Sequence, residues 1–245
     1  GRLLKKKMHA VQAMGRRFER EQDSLTAMPE QEEAIFAKLD CTPLPAAKTV
    51  LDLDCPALSI DGQTLCQDIR LSVRADEKLC ICGKNGVGKS TLLRFIRDTL
   101  KKRADLRVFY MPQDPGELLD LRLSPVELLA PSGEKDALSR AGLLLGSMKF
   151  TADEMRHPCA GLSGGQKAKL MFLMMAESRA DVLLLDEPTR NLSPLSGPVV
   201  RKLFADYPGC IIAVSHDRRF AETVCTRAVR LAREGVREAP VSDIL

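Results

Sequence analysis

Gly83-Lys84-Asn85-Gly86-Val87-Gly88-Lys89-Ser90 fits the pattern G-x-x-x-x-G-K-[ST] in full. Chemically this is a cradle for phosphate. Glycines let backbone N–H groups curl around phosphate oxygens, and a helix starting behind the loop adds the positive end of its dipole. At this spacing Lys89 reaches the β- and γ-phosphates of a nucleotide, and the Ser90 hydroxyl becomes a ligand for Mg²⁺. A second pair of reactive groups ends the apolar run Asp181-Val182-Leu183-Leu184-Leu185-Asp186-Glu187. Asp186 is placed to hold Mg²⁺ through water, and Glu187 to orient and polarise an attacking water. The competing reading, a structural acid pair at a strand end, is weakened by the phosphate loop upstream.

Such groups need particular elements to carry them. Lys78–Cys82 is a short apolar run leading into the loop, and Thr91, Leu92, Leu93, Phe95 and Ile96 continue from it in a helical pattern. The run ending at Asp186 lacks polar alternation, as expected of a strand buried on both faces of a parallel sheet. From Val50 onward strand-like and helix-like segments alternate, which predicts an α/β fold. Met171–Met175 reads as core packing.

The 245 residues are 44% hydrophobic and 29% charged, the balance of a folded globular chain rather than a disordered one. No apolar run of about 18 residues exists, so no membrane-spanning helix is expected. Aromatics make up 4% and Trp is absent, so aliphatics and Met must fill the core. The eight cysteines lack metal or redox spacing and read as small buried hydrophobes in a reducing cytosol. Cys80 and Cys82, the close pair, are expected to point to opposite faces of their strand.

A net charge of +4 is too mild for a chain that binds nucleic acid along its whole length, but it conceals a lopsided start. Residues 1–20 hold seven Lys/Arg against one Glu, and residues 21–40 hold six acids against Lys38. Leu4, Met8, Val11, Met14 and Phe18 recur at helical spacing. A basic helix at the very first residue suggests a part cut from something longer. Met28-Pro29 breaks the pattern, and Cys41-Thr42-Pro43-Leu44-Pro45 reads as a stiff, extended linker.

Leu162-Ser163-Gly164-Gly165-Gln166 lies 20 residues before Asp186. Together with the phosphate loop it resembles the signature of ATP-binding-cassette (ABC) ATPases. Tyr110-Met111-Pro112-Gln113 resembles that family's Q-loop, Asp186-Glu187-Pro188-Thr189 its extended Walker B, and Ser215-His216-Asp217 its switch histidine. The resemblance covers residues 50–245. It implies an α/β P-loop NTPase fold: a linker segment at 1–44, an ABC cassette at 45–245, and a helical subdomain near 114–165. It implies a Mg²⁺-dependent ATPase. Gly83 to Ser90, Thr91, and Leu162, Ser163, Gly164, Gly165 and Gln166 would bind ATP. Ser90, Gln113 and Asp186 would hold Mg²⁺, and Glu187, His216 and Gln113 would serve hydrolysis. In this family ATP lies between the phosphate loop of one cassette and the signature of another. A single cassette then makes half of two sites, needs a second cassette (an N-terminal half or a second copy), and hydrolyses slowly alone.

Within that family the chain is most similar to the ABC-F branch, which lacks membrane domains and works on ribosomes in the cytoplasm. The short gap of 24 residues from Lys89 to Gln113 and the run Val214–Phe220 carry this likeness. By that likeness residues 1–40 are the second helix of an inter-cassette hairpin, and its basic part would contact rRNA or tRNA phosphates. Thr189–Pro198 resembles the Lsa/Vga-like antibiotic-resistance subgroup, implying ribosome protection or translation regulation. The alternative is the ATPase subunit of a membrane transporter, for which a basic helix followed by an acidic one has little use. Two departures matter. Counting back 23 residues from Gly83 reaches Ile60, where many cassettes stack an aromatic on adenine, so aliphatic contact and looser base selectivity are expected. Ser193 stands where the interface loop normally offers Asp, near Asn191, which is a candidate to hold that loop.

Overall fold

The computed structural model describes residues 39–190 and 196–243. The helical segments expected before residue 39, and Asn191 and Ser193, lie outside the described residues. Thr49–Ile60 (β1) and Gln63–Arg74 (β2) form an antiparallel hairpin. Its two-residue turn is Asp61-Gly62, both at positive φ (49° and 79°), the conformation whose twist suits paired strands. Lys78–Cys82 (β3), Val108–Met111 (β4), Val182–Asp186 (β5), Cys210–Val214 (β6), Arg227–Ala232 (β7) and Gly235–Ala239 (β8) make a second sheet. Its order is β4-β5-β6-β3-β7-β8, parallel except for the final pair. Helices lie at Lys89–Leu100 (α1), Pro125–Leu129 (α2), Lys135–Ser147 (α3), Ala152–Arg156 (α4), Gly164–Ser178 (α5), Ser196–Asp206 (α6) and Arg218–Val224 (α7). The predicted α/β class and parallel sheet are therefore present.

The unbroken apolar strands follow from burial on both faces. All five residues of β5 and of β6 are buried. Val182 and Leu184 face a core shared with Leu92, Leu93 and Ile96 of α1 and with Ile69, Leu71 and Val73 of β2. Leu183 and Leu185 face the other core, with Met171, Phe172 and Met175 of α5, Phe204 of α6 and Phe220 of α7. The Met171–Met175 run is thus core, with Phe204 centred between the rings of Phe172 (5.9 Å) and Phe220 (5.8 Å). Polar residues here would face apolar atoms on either side, which explains why the run tolerates none until Asp186.

Cys80 and Cys82 share one face of β3, packed in a single small cluster with Ala221 and Ala228. The expectation that they point apart is corrected: side chains two apart on a strand share a face, because the pleat repeats every two residues. All eight cysteines are free thiols, six of them buried. Burial pushes the Cys82 thiol up, and a hydrogen bond with Cys225 followed by burial does the same for Cys80, so both stay protonated and inert. Within the segment Cys41–Pro45, Cys41 packs against the α5-side core beside the buried Leu39, and Leu44 packs against the other core.

Residues 114–165 contain α2, α3 and α4. Ser124 with Glu127 and Thr151 with Glu154 form capping boxes that start α2 and α4, satisfying N–H groups that short helices would otherwise leave bare. The strand that carries Asp186 is anchored at its other end. The Asp181 carboxylate accepts hydrogen bonds from the Arg107 backbone N–H (2.9 Å), Nε (3.2 Å) and Nη2 (2.7 Å). Burial works against ionisation of Asp181, but the Arg107 bonds outweigh it and hold the carboxyl below its usual range. Asp181→Asn is expected to lower stability at neutral pH, with the gap to wild type closing as pH falls. An unfolded carboxyl titrates near about 3.9 and the folded one lower, so the contribution is full above the first value and lost through the second. Denaturant unfolding across that acid range checks this; a pH-independent gap contradicts an ionic origin.

Candidate functional site

In a parallel sheet every strand delivers its carboxyl end to one edge, and here four strands bring the sequence-predicted groups to that edge. Ile81 of β3 and Asp186 of β5 both stand beside Val214 of β6, and Met111 of β4 beside Leu185. Continuing one or two residues past these positions gives the phosphate loop, Glu187, His216 and Gln113. They line one cavity of about 730 Å³, together with Asn85, Gly86, Gly88, Lys89, Ser90, Thr91 and Asp186. Gly83, Lys84 and Val87 line a neighbouring cavity on the other side of the loop, with His216 touching both.

The loop's shape depends on its glycines at two points. Gly83 has φ +149°, and a Cβ there would lie 2.5 Å from the Leu231 carbonyl oxygen, a backbone atom that has no room to move. Gly88 has φ +103° and, as the N-cap of α1, brings no side chain to bond the first N–H groups of the helix. Lys89 opens that helix with its amine buried, donating to the carbonyls of Gly83 (2.8 Å) and Lys84 (3.0 Å). Burial pulls its pKa down, opposed by Glu187 and Asp186.

Asp186 is buried, and neither of its carboxylate oxygens has a hydrogen-bond partner among the described residues. Burial pushes this carboxyl up, while Ser90, Arg94 and Lys89 oppose the shift. Two bare oxygens on a buried carboxylate, with the Ser90 hydroxyl and the Gln113 amide on the same cavity, form an all-oxygen set of the kind hard divalent cations take. Magnesium fits these residues. Glu187 has φ +52°, a left-handed conformation that costs a non-glycine residue about 1–3 kcal/mol and recurs at functional sites. Its N–H donates to the Val214 carbonyl at 2.9 Å, which ties it to β6. Burial raises its pKa, its Oε1 has no hydrogen-bond partner among the described residues, and the His216 Nε2 stands 3.6 Å away.

Leu162–Gln166 are not brought to this cavity. Ser163 is the N-cap of α5: its hydroxyl accepts from the Gln166 N–H (3.2 Å), and the Gln166 side chain accepts from the Ser163 N–H (2.8 Å). Gln166 also donates to Glu154. Ser163, Gly164 and Gly165 are exposed, with open space where a Cβ on either glycine would point. Three cavity residues were given no site role from sequence, Leu65, Arg190 and Val214, while Ile60 was expected to give the base an aliphatic contact. Counting back from Gly83 located Ile60. The Asp-Gly turn was the available signal for Leu65, since it folds β2 beside β1.

A mostly parallel sheet with a phosphate loop at its carboxyl edge defines a nucleotide-binding α/β domain of P-loop type. A family model described as "ABC transporter" matches residues 66–190. The putative ATP-binding protein YdiF of Bacillus subtilis (strain 168) is 33% identical over 183 residues, covering 71% of this chain and 28% of that protein. ABC transporter F family member 5 of Arabidopsis thaliana is 31% identical over 195 residues, covering 76% of this chain and 28% of that protein. The chain thus spans under a third of the length of these relatives. Among solved structures, the ATP-binding cassette MJ0796, in a dimeric post-hydrolysis state bound to ADP and Pi, superposes with a TM-score of 0.63. It is 19% identical and covers 79% of this chain and 99% of that one, a likeness of fold. The chain belongs to the ABC transporter family of ATP-binding cassettes. Cassettes of this family bind ATP, generally with Mg²⁺, and hydrolyse it. Among the described residues no helix is long and apolar enough to cross a membrane.

Proposed function

We propose that this chain is the ATP-driven cassette of an ABC-F protein that acts on the ribosome in the cytoplasm. In this reading ATP phosphates lie in the loop from Gly83 to Thr91, and the Lys89 amine exchanges the Gly83 and Lys84 carbonyls for phosphate oxygens. Ser90, Gln113 and Asp186 would hold Mg²⁺, which neutralises phosphate charge. Glu187 orients the attacking water and takes its proton. His216 hydrogen-bonds the γ-phosphate or that water. Ile60 and Leu65 give the base an aliphatic seat. Ser163, Gly164 and Gly165 serve a nucleotide held by a second cassette.

The observation that carries the reading is the meeting of the bare Asp186, Glu187 and the phosphate loop at one sheet edge, in a chain whose relatives include one named as an F family member. The basic segment 1–20 supports a nucleic-acid partner, and Thr189–Pro198 supports antibiotic resistance by ribosome protection, or translation regulation. The family's own name favours a second reading, the ATPase subunit of a membrane transporter. Sedimentation with ribosomes in ATP separates the two, using the intact protein carrying Glu187→Gln to hold ATP unhydrolysed. Enrichment on ribosomes that fades with added salt is expected; none would leave the transporter reading.

A further inference from the structure

Arg190 lines the same cavity as Lys89, Gln113, Glu187 and His216, yet no role above uses it. Its place is set by the backbone. The Arg190 N–H donates to the Glu187 carbonyl at 3.1 Å, closing the turn Glu187-Pro188-Thr189-Arg190 that begins at the left-handed Glu187. The guanidinium therefore hangs from the strand end that carries the water-orienting carboxylate. It does not line the neighbouring cavity around Gly83, Lys84 and Val87. Its side chain is exposed, and among the described residues no ion pair or hydrogen bond engages it.

The charge balance of the cavity points the same way. Asp186 and Glu187 set two carboxylates against the ammonium of Lys89, a charge that Mg²⁺ on Asp186 would offset, and Arg190 adds a further positive charge on the cavity where a polyanion must bind. A guanidinium also offers a planar fork of donors that matches two oxygens of one phosphate, which an ammonium does not. We infer that Arg190 contacts the terminal phosphate of the bound nucleotide and makes the site discriminate a triphosphate from a diphosphate. The inference rests on the phosphate-loop reading and adds to it a residue that the motifs do not assign.

Calorimetric titration with ATP and with ADP, each with Mg²⁺, tests it on wild type and the variants Arg190→Ala, Arg190→Lys and Lys89→Ala. Arg190→Ala is expected to weaken ATP about ten- to a hundredfold, as for loss of a charged hydrogen bond, and to leave ADP nearly unchanged. Arg190→Lys is expected to recover part of the ATP affinity, keeping the charge but not the fork. Equal weakening of both nucleotides, or of neither, overturns the assignment. Lys89→Ala separates this failure from that of the underlying reading. If it abolishes binding while the ATP-to-ADP ratio survives Arg190→Ala, only the Arg190 role falls. If wild type binds neither nucleotide, or Lys89→Ala binds both as well as wild type, the phosphate-loop reading falls with it. Circular dichroism of each variant confirms that the fold is intact.

Discussion

Glu187→Gln is expected to lower ATP turnover by about 10²–10⁴-fold, the usual contribution of a positioned general base, while ATP stays bound. The geometry explains the separation. In the proposed reading binding rests on the loop and on Lys89, whose hydrogen bonds go to the Gly83 and Lys84 carbonyls and not to the Glu187 side chain. Glu187 contributes a carboxylate with one bare oxygen, held at the edge of the cavity by a strained backbone and a tie to β6. Glutamine keeps the shape and the hydrogen bond from the His216 N–H at 3.4 Å, but it accepts no proton. Steady-state phosphate release, with equilibrium ATP titration alongside, measures both sides. Unchanged turnover would remove Glu187 from the mechanism and leave it a structural acid. Lost ATP binding would mean the carboxylate shapes the site instead.

Turnover by the chain alone is expected to be slow and to fall about tenfold per chain for each tenfold dilution, as mass action requires when two copies must meet. The reason is the placement of Leu162–Gln166. Ser163 caps α5, while Gly164 and Gly165 stand exposed at its mouth, outside the cavity that Lys89 and Glu187 line. Groups aimed away from their own nucleotide stabilise the γ-phosphate only across an interface. Phosphate release measured over a wide range of chain concentrations decides this. Fast turnover whose rate per chain ignores dilution would show that one copy completes its own site.

Much of the lining of this cavity was legible in the amino-acid sequence. Gly83–Ser90 and Asp186-Glu187 are local patterns, because a phosphate cradle and a strand-end carboxylate are each built within a few consecutive residues. The two-faced burial of β5 and β6 was legible too, since a run such as Val182–Leu185 has no polar side to present. What misled was pleat geometry at Cys80 and Cys82, where a two-residue spacing means one face.

The amino-acid sequence by itself determined the class of chemistry: a phosphate loop, an acid pair, a signature and a histidine, each specified by neighbours along the chain. Only the tertiary structure decided which of them meet. Parallel pairing sends the ends of β3, β4, β5 and β6 to one edge, so residues as distant as Lys89 and His216 share a cavity while Ser163 does not. Arg190 shows the difference most plainly. In sequence it is one more surface cation; in the fold its N–H bonds back to the Glu187 carbonyl and the residue lines the cavity of Lys89 and Glu187.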